Sequence, residues 1–213
     1  MRILDQLERR MGRYYIADLM KYLCFAMLGV FILDYLPFNV SATSLLYFNR
    51  QLILQGQIWR LITFIFLPPP SSVLFILFSL YFYYYLGTVL ENRWGSRRFN
   101  LYYLIGVLGN IAAGFITGYA TNTYLNMSLF LAMAVMFGEM EINLFMILPI
   151  KMKYIAWLDA ALLIYTFLAG TWAVRLALVL SLLPFILFFG KDAYLSVRRD
   201  IWKLKNWWMR RSR

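Results

Sequence analysis

Residues 71–90 read SSVLFILFSLYFYYYLGTVL, a run without a charged side chain. A helix needs roughly 20 mostly apolar residues to cross about 30 Å of hydrocarbon, and this run has that length. Five segments of the same kind flank it: residues 15–36 before it, and 99–119, 125–144, 154–169 and 171–190 after it. The pattern predicts six membrane-spanning helices. The fifth is the shortest and carries Asp159 near its middle.

Composition agrees. The chain is 62% hydrophobic and 15% charged, with a mean hydropathy of +0.65. A soluble domain is about 45–50% apolar and about 25% charged, and a chain this short must keep a large polar surface if its solvent is water. Aromatic residues at 19% suit the two membrane interfaces. The lone Cys24 excludes an internal disulfide and reads as an ordinary residue of an apolar run. With no histidine, neither an imidazole base nor a Cys/His metal cluster can form, so no metal or cofactor is expected.

The net charge of +11 follows from placement rather than from nucleic-acid binding. Arg2, Arg9, Arg10 and Arg13 precede the first span, and Arg93, Arg97 and Arg98 lie between the second and third. Lys151 and Lys153 lie between the fourth and fifth, and a cluster from Lys191 to Arg213 follows the sixth. In a six-span plan all of these share one side, whereas Arg50 and Arg60 fall on the other. Lys21 and Arg175 fall within spans. The bias of cytoplasmic loops toward Lys and Arg then places both termini in the cytoplasm. The N-terminal MRILDQLERRMGRYY is too polar for a signal peptide. With no targeting signal, the reading is a multi-pass protein of a bacterial plasma membrane.

The first loop, residues 37–70, is long and only weakly polar. Residues 44–55 (SLLYFNRQLILQ) space their apolar positions at near-helical intervals, which predicts one amphipathic helix in the outer interface. Pro68, Pro69 and Pro70 end any helix ahead of the second span.

Within this frame, Trp59-Arg60-Leu61-Ile62-Thr63, a span ending Tyr85-Leu86-Gly87, then Glu91 and Trp94-Gly95-Ser96 resemble the rhomboid superfamily of intramembrane serine proteases. The resemblance implies a six-helix core with a large first loop held by the Trp59–Arg60 pair, and a core held by Gly87 and Glu91. It also implies lateral access for transmembrane substrates between spans two and five. Family members that cut peptide bonds use a serine in Gly-x-Ser-Gly at the start of span four and a histidine in span six. Here Ser128 stands at the nucleophile position, with Asn126 and Leu129 in place of the glycines. The oxyanion positions fall on Phe75 and Ser79, Phe64 replaces a frequent first-loop histidine, and span six offers Arg175.

A serine hydroxyl needs a base to become a nucleophile. Arginine stays protonated and cannot serve. Lys151 and Lys153 sit at the cytoplasmic ends of spans four and five, about 25–30 Å from the outer end where span four begins. Catalytic residues are therefore none, and Ser128, Phe75 and Ser79 mark a remnant site. Residues 143–157 (NLFMILPIKMKYIAW) also resemble the Derlins, non-proteolytic rhomboid relatives.

Other positions carry structural expectations. Asp159 and Arg175 form a possible intramembrane pair tying span five to span six, since buried membrane charges tend to pair; the alternative for Arg175 is snorkelling to the outer interface. Gly114 and Gly118 form a G-x-x-x-G that allows close helix approach. Trp202, Trp207 and Trp208 lie among basic residues of the tail, a composition suited to an anionic inner leaflet.

The sequence thus reads as an all-α, six-transmembrane-helix, rhomboid-like bundle with a large structured first loop. Residues 1–14 form a cytoplasmic segment, 15–190 the bundle and 191–213 a basic tail. The resemblance implies a pseudoprotease that binds transmembrane segments of client proteins. The alternatives are an intramembrane serine protease with an atypical base, and a small-solute transporter, for which the expected repeats and paired broken helices are lacking.

Overall fold

The computed structural model describes residues 8, 12, 14–36, 41–69, 72–144 and 148–211. The N-terminal Arg2, Arg9, Arg10 and Arg13, and Pro70 and Arg213, lie outside the described residues. The chain is mostly helical. Helix α1 (Leu19–Tyr35) begins after Asp18, whose φ of 53° turns the chain into it. The first loop holds α2 (Ala42–Leu46), α3 (Arg50–Leu54), α4 (Arg60–Thr63) and a 3-10 turn over Phe64–Phe66. Helices α5 (Val73–Trp94), α6 (Ser96–Thr117) and α7 (Thr123–Phe137) follow, then strands β1 (Glu141–Leu144) and β2 (Leu148–Lys151), α8 (Met152–Ala169) and α9 (Trp172–Arg211).

Three helical stretches among the described residues are long and apolar enough to cross a membrane: α6, α8 and the Trp172–Gly190 part of α9. Helix α7 is apolar but spans 15 residues, about 22 Å at 1.5 Å per residue. Helix α8 shows its solvent plainly. Leu158, Leu162, Tyr165 and Leu168 are all exposed, an arrangement that water penalises and lipid does not.

Helix α6 sits at the centre, and small residues set its distances. A Cβ at Gly109 would collide with the backbone oxygen of Leu180 on α9, and one at Gly106 with the Leu125 side chain on α7. Asn110 fixes the same α6–α9 contact by accepting from the Ser181 hydroxyl at 2.7 Å, with both residues buried. At Gly87 a Cβ would collide with Met20, so α1 and α5 also cross closely. Around these crossings pack Leu86, Leu90, Phe99, Tyr102, Leu125, Leu129 and Met133, all buried.

Four expectations need correction. The fold is not purely helical: the expected fourth span to residue 144 stops at Phe137, and the chain turns into a β-hairpin pairing Glu141 with Lys151. The apolar strip 143–157 supplies part of that hairpin and the start of α8, with 145–147 outside the described residues. The single amphipathic helix over 44–55 is broken in two, because Phe48 turns inward to 1% exposure and the Asn49 side chain caps α3 by accepting from the N–H groups of Gln51 and Leu52. The Gly114/Gly118 pair is no helix-packing motif. Gly114 makes room for the Phe48 ring, and Gly118, at φ 97°, ends α6 in a left-handed conformation that suits glycine. Finally, the backbone of the basic tail continues the last apolar helix as far as Arg211.

Candidate functional site

The first loop is held by the residues that carry the family resemblance. The last carbonyls of a helix have no partner within it. At the end of α2 these are met by side chains. Arg60 Nη1 donates to the Ser44 and Tyr47 oxygens at 3.0 and 2.9 Å. Trp59 Nε1 donates to Leu45 O at 3.3 Å and Thr63 Oγ1 to Leu46 O at 2.9 Å. Arg60 is buried, its Nε donates to Gln57 Oε1 at 2.7 Å, and its guanidinium lies 4.9 Å from the centre of the Tyr47 ring. The spacing Trp-Arg-x-x-Thr therefore puts three donor side chains onto four consecutive carbonyls. Asn122, just ahead of α7, donates to the Ile65 and Leu67 oxygens and ties the loop's far end to the bundle.

On the opposite side Glu91 is buried and accepts from the Asp18 N–H at 2.8 Å. Asn100 accepts from Ile16 N–H and donates to Ile16 O, so two side chains hold the entry to α1. Arg97 lies over the Tyr15 ring at 5.6 Å from its centre.

Ser128 is fully buried. Its hydroxyl donates to Leu125 O at 2.6 Å and accepts from the Tyr102 hydroxyl at 2.9 Å. Around Tyr102 pack the rings of Trp94, Phe188 and Phe189. No base reaches Ser128 among the described residues; its partners are a phenol and a carbonyl oxygen. Phe75 is exposed on α5, and Ser79 spends its hydroxyl on the Phe75 carbonyl at 2.9 Å. Ser128, Phe75 and Ser79 are not brought together.

Asn126 faces elsewhere. Two residues along a helix rotate a side chain by about 200°, so Asn126 and Ser128 leave α7 on opposite sides. Asn126 lines a cavity of about 230 Å³ between α5, α7 and α8, with Tyr83, Leu86, Met127, Phe130, Ile155, Leu158, Asp159 and Leu162. Its walls are mainly apolar. Tyr83 lies beside Asn126 in the cavity wall. Two oxygens in the cavity, Asn126 Oδ1 and Asp159 Oδ2, are buried and accept no hydrogen bond. Leu158 and Leu162 are exposed, so the cavity lies at the lipid-facing edge of α8.

The expected Asp159–Arg175 pair is not made. Arg175 donates from Nε to Phe167 O at 2.8 Å and from Nη2 to Leu168 O at 2.9 Å. It thus caps α8, where free carbonyls and the negative end of the helix dipole attract a cation. Asp159 lies over two turns deeper, beyond reach. The ion pairs among the described residues are at the hairpin end of α8, where Glu139 meets Lys153 at 2.7 Å and Lys151 at 3.2 Å. Lys153 first, then Lys151, hold the Glu139 carboxyl below its usual range.

Sequence reading missed Tyr83, Asn100, Asn110, Asn122 and Ser181. The available signal was their chemistry: amides and hydroxyls inside apolar runs serve as polar contacts between helices, yet only the charged residues drew attention.

These features define a helical integral membrane protein whose polar residues are spent on loop ends, helix crossings and the cavity between α5, α7 and α8. The chain belongs to a family of eukaryotic integral membrane proteins (DUF1751), which matches residues 21–190. No curated protein matches it significantly. The family assignment overturns the bacterial plasma membrane. Charge placement orients a chain across a bilayer but does not say whose bilayer it is, and the family is eukaryotic.

Proposed function

We propose that this chain is a six-span, rhomboid-like pseudoprotease of eukaryotic membranes. It binds transmembrane segments of client proteins at the cavity between α5, α7 and α8, without cutting them. The observation that carries this reading is the cavity itself: membrane-facing, mostly apolar and lined by two buried acceptors without donors. A soluble metabolite has no route to such a place, whereas a helix arriving through the lipid does. The resemblance in Trp59, Arg60, Gly87 and Glu91 supports the rhomboid-like assignment. Ser128, bonded to Tyr102 and Leu125 O and walled in by rings, supports the absence of hydrolysis. Residues 15–190 form the client-binding unit in this reading. The basic tail holds the inner face against anionic headgroups, each basic residue contributing about 1 kcal/mol.

The test is photocrosslinking in cells with p-benzoyl-phenylalanine at Leu162, compared with Phe25 on α1, which is also exposed. Adducts mapping to the apolar spans of membrane proteins at Leu162, and not at Phe25, are expected. Adducts to lipid alone at both positions would refute the reading. In parallel, a fluorophosphonate probe is expected to leave Ser128 unlabelled. Labelling that disappears in Ser128→Ala would bring the protease alternative forward.

A further inference from the structure

Resting on that client-binding reading, we infer that the cavity selects transmembrane segments carrying a lysine or arginine at mid-membrane depth. Asn126 Oδ1 and Asp159 Oδ2 are both acceptors, both buried, and both without a donor. Asn126 is 2% exposed. Unpaired polar groups are costly in an apolar medium, and a carboxyl in hydrocarbon especially so. Arg175 does not relieve them, because it is committed to the Phe167 and Leu168 carbonyls at the end of α8. Nor does Tyr83, which shares the cavity wall, donate to Asn126 Oδ1.

A client helix entering past Leu158 and Leu162 covers the cavity further. If that helix is wholly apolar, both oxygens remain unpaired. A lysine brings three N–H donors and an arginine five, and either supplies the charge opposite to Asp159. A site built from hydrogen-bonding groups discriminates chiefly by what an unsuitable partner leaves unpaired. The preference is therefore for a basic residue placed at the depth of Asp159, about 10 Å above the start of α8 at 1.5 Å per residue.

The experiment uses the full chain in nanodiscs with p-benzoyl-phenylalanine at Leu162. The probes are synthetic single-span Leu/Ala peptides with leucine, glutamine or lysine at the central position. The lysine peptide is expected to crosslink more than the leucine peptide by roughly threefold to twentyfold, the range that measured polar contacts between membrane helices span. Asp159→Asn, which keeps the shape of the side chain, is expected to reduce lysine crosslinking to the level of glutamine. Equal crosslinking of all three peptides overturns the selectivity and leaves client binding standing. Glutamine crosslinking as strongly as lysine to the unaltered protein overturns the recognition of charge. No crosslinking of any peptide overturns the client-binding reading itself.

Discussion

Replacing Arg60 with lysine keeps the charge and removes the geometry, which isolates what the first-loop motif does. The guanidinium makes three hydrogen bonds, to Gln57 Oε1, Ser44 O and Tyr47 O, and stacks on Tyr47. One ammonium group cannot reach all three partners from one position, so at least one charge-assisted bond is lost and a second is weakened. Hydrogen bonds to charged groups contribute about 1.5–3 kcal/mol each, and the ring contact about 0.5–1 kcal/mol. Water at the membrane interface re-satisfies some of the freed carbonyls, so the lower part of the range applies and the loss is about 3 kcal/mol. For a chain of this size each kcal/mol moves Tm by about 2–4 °C, giving a drop of roughly 6–12 °C. The measurement is thermal unfolding in detergent followed by tryptophan emission. Trp59→Phe is the companion variant: it removes one bond of 3.3 Å from a half-exposed ring and should cost about 1 kcal/mol. If Arg60→Lys unfolds within about 2 °C of the unaltered chain, or Trp59→Phe is the worse of the two, the carbonyl-capping account of the loop is wrong.

Two further predictions concern other parts of the molecule. Gly109→Ala should lower stability by about 1–3 kcal/mol, because its Cβ meets backbone and neither helix can yield locally; Gly29→Ala, with nothing within 4 Å, should instead be neutral or stabilising in the same detergent assay, and the reverse order would refute the α6–α9 crossing. At the hairpin end of α8, the Glu139 pairs contribute stability that is present above the usual glutamate value of 4.5 and is lost as pH falls below it through the depressed folded value. An isotope-edited infrared titration should therefore place the Glu139 midpoint below 4.5 and Lys153→Met should raise it; a midpoint at or above 4.5 would show that the contacts do not form in the membrane.

The membrane class and most helix positions were legible because length and apolarity are one-dimensional properties. The starts of α5, α6 and α8 lie within a few residues of where the apolar runs begin. The end of α7 was misplaced. Residues 138–144 carry Glu139 and Glu141, which break the apolar run, but the hairpin that follows pairs residues four to ten apart, and such a partner cannot be seen in the local pattern. The same holds for the first loop, where the periodicity of residues 44–55 is real but Phe48 is claimed by a pocket over Gly114 far along the chain. At the site, Arg60 and Glu91 were legible through their residue types, since a charge beside a membrane span must be satisfied somewhere. The partner of Arg175 was not, because helix-end carbonyls are acceptors that no side-chain inventory displays. A charge-pairing rule offered Asp159 as a possible partner beside snorkelling, whereas the backbone supplies two acceptors at the end of α8.

Asn126 and Ser128 show why position along the chain and position in a site must be separated. They sit two residues apart on α7, and the helix sends them to opposite faces. On the Ser128 face every polar atom is accounted for: the hydroxyl donates to Leu125 O, accepts from Tyr102, and is sealed by aromatic rings. Such a face gains stability from its bonds and has nothing left to offer a substrate. On the Asn126 face the accounting fails twice, at Asn126 Oδ1 and Asp159 Oδ2. Buried unsatisfied atoms in a folded protein call for an explanation, and in hydrocarbon the cost of leaving them so is greater than in a wet cleft. A fold that satisfies the carbonyls of a five-residue helix with three separate side chains does not lack the means to satisfy two more oxygens. Their residues line a membrane-facing cavity, and the proposed reading supplies the missing donor from outside the chain, which is why the functional reading is placed on the Asn126 face of α7.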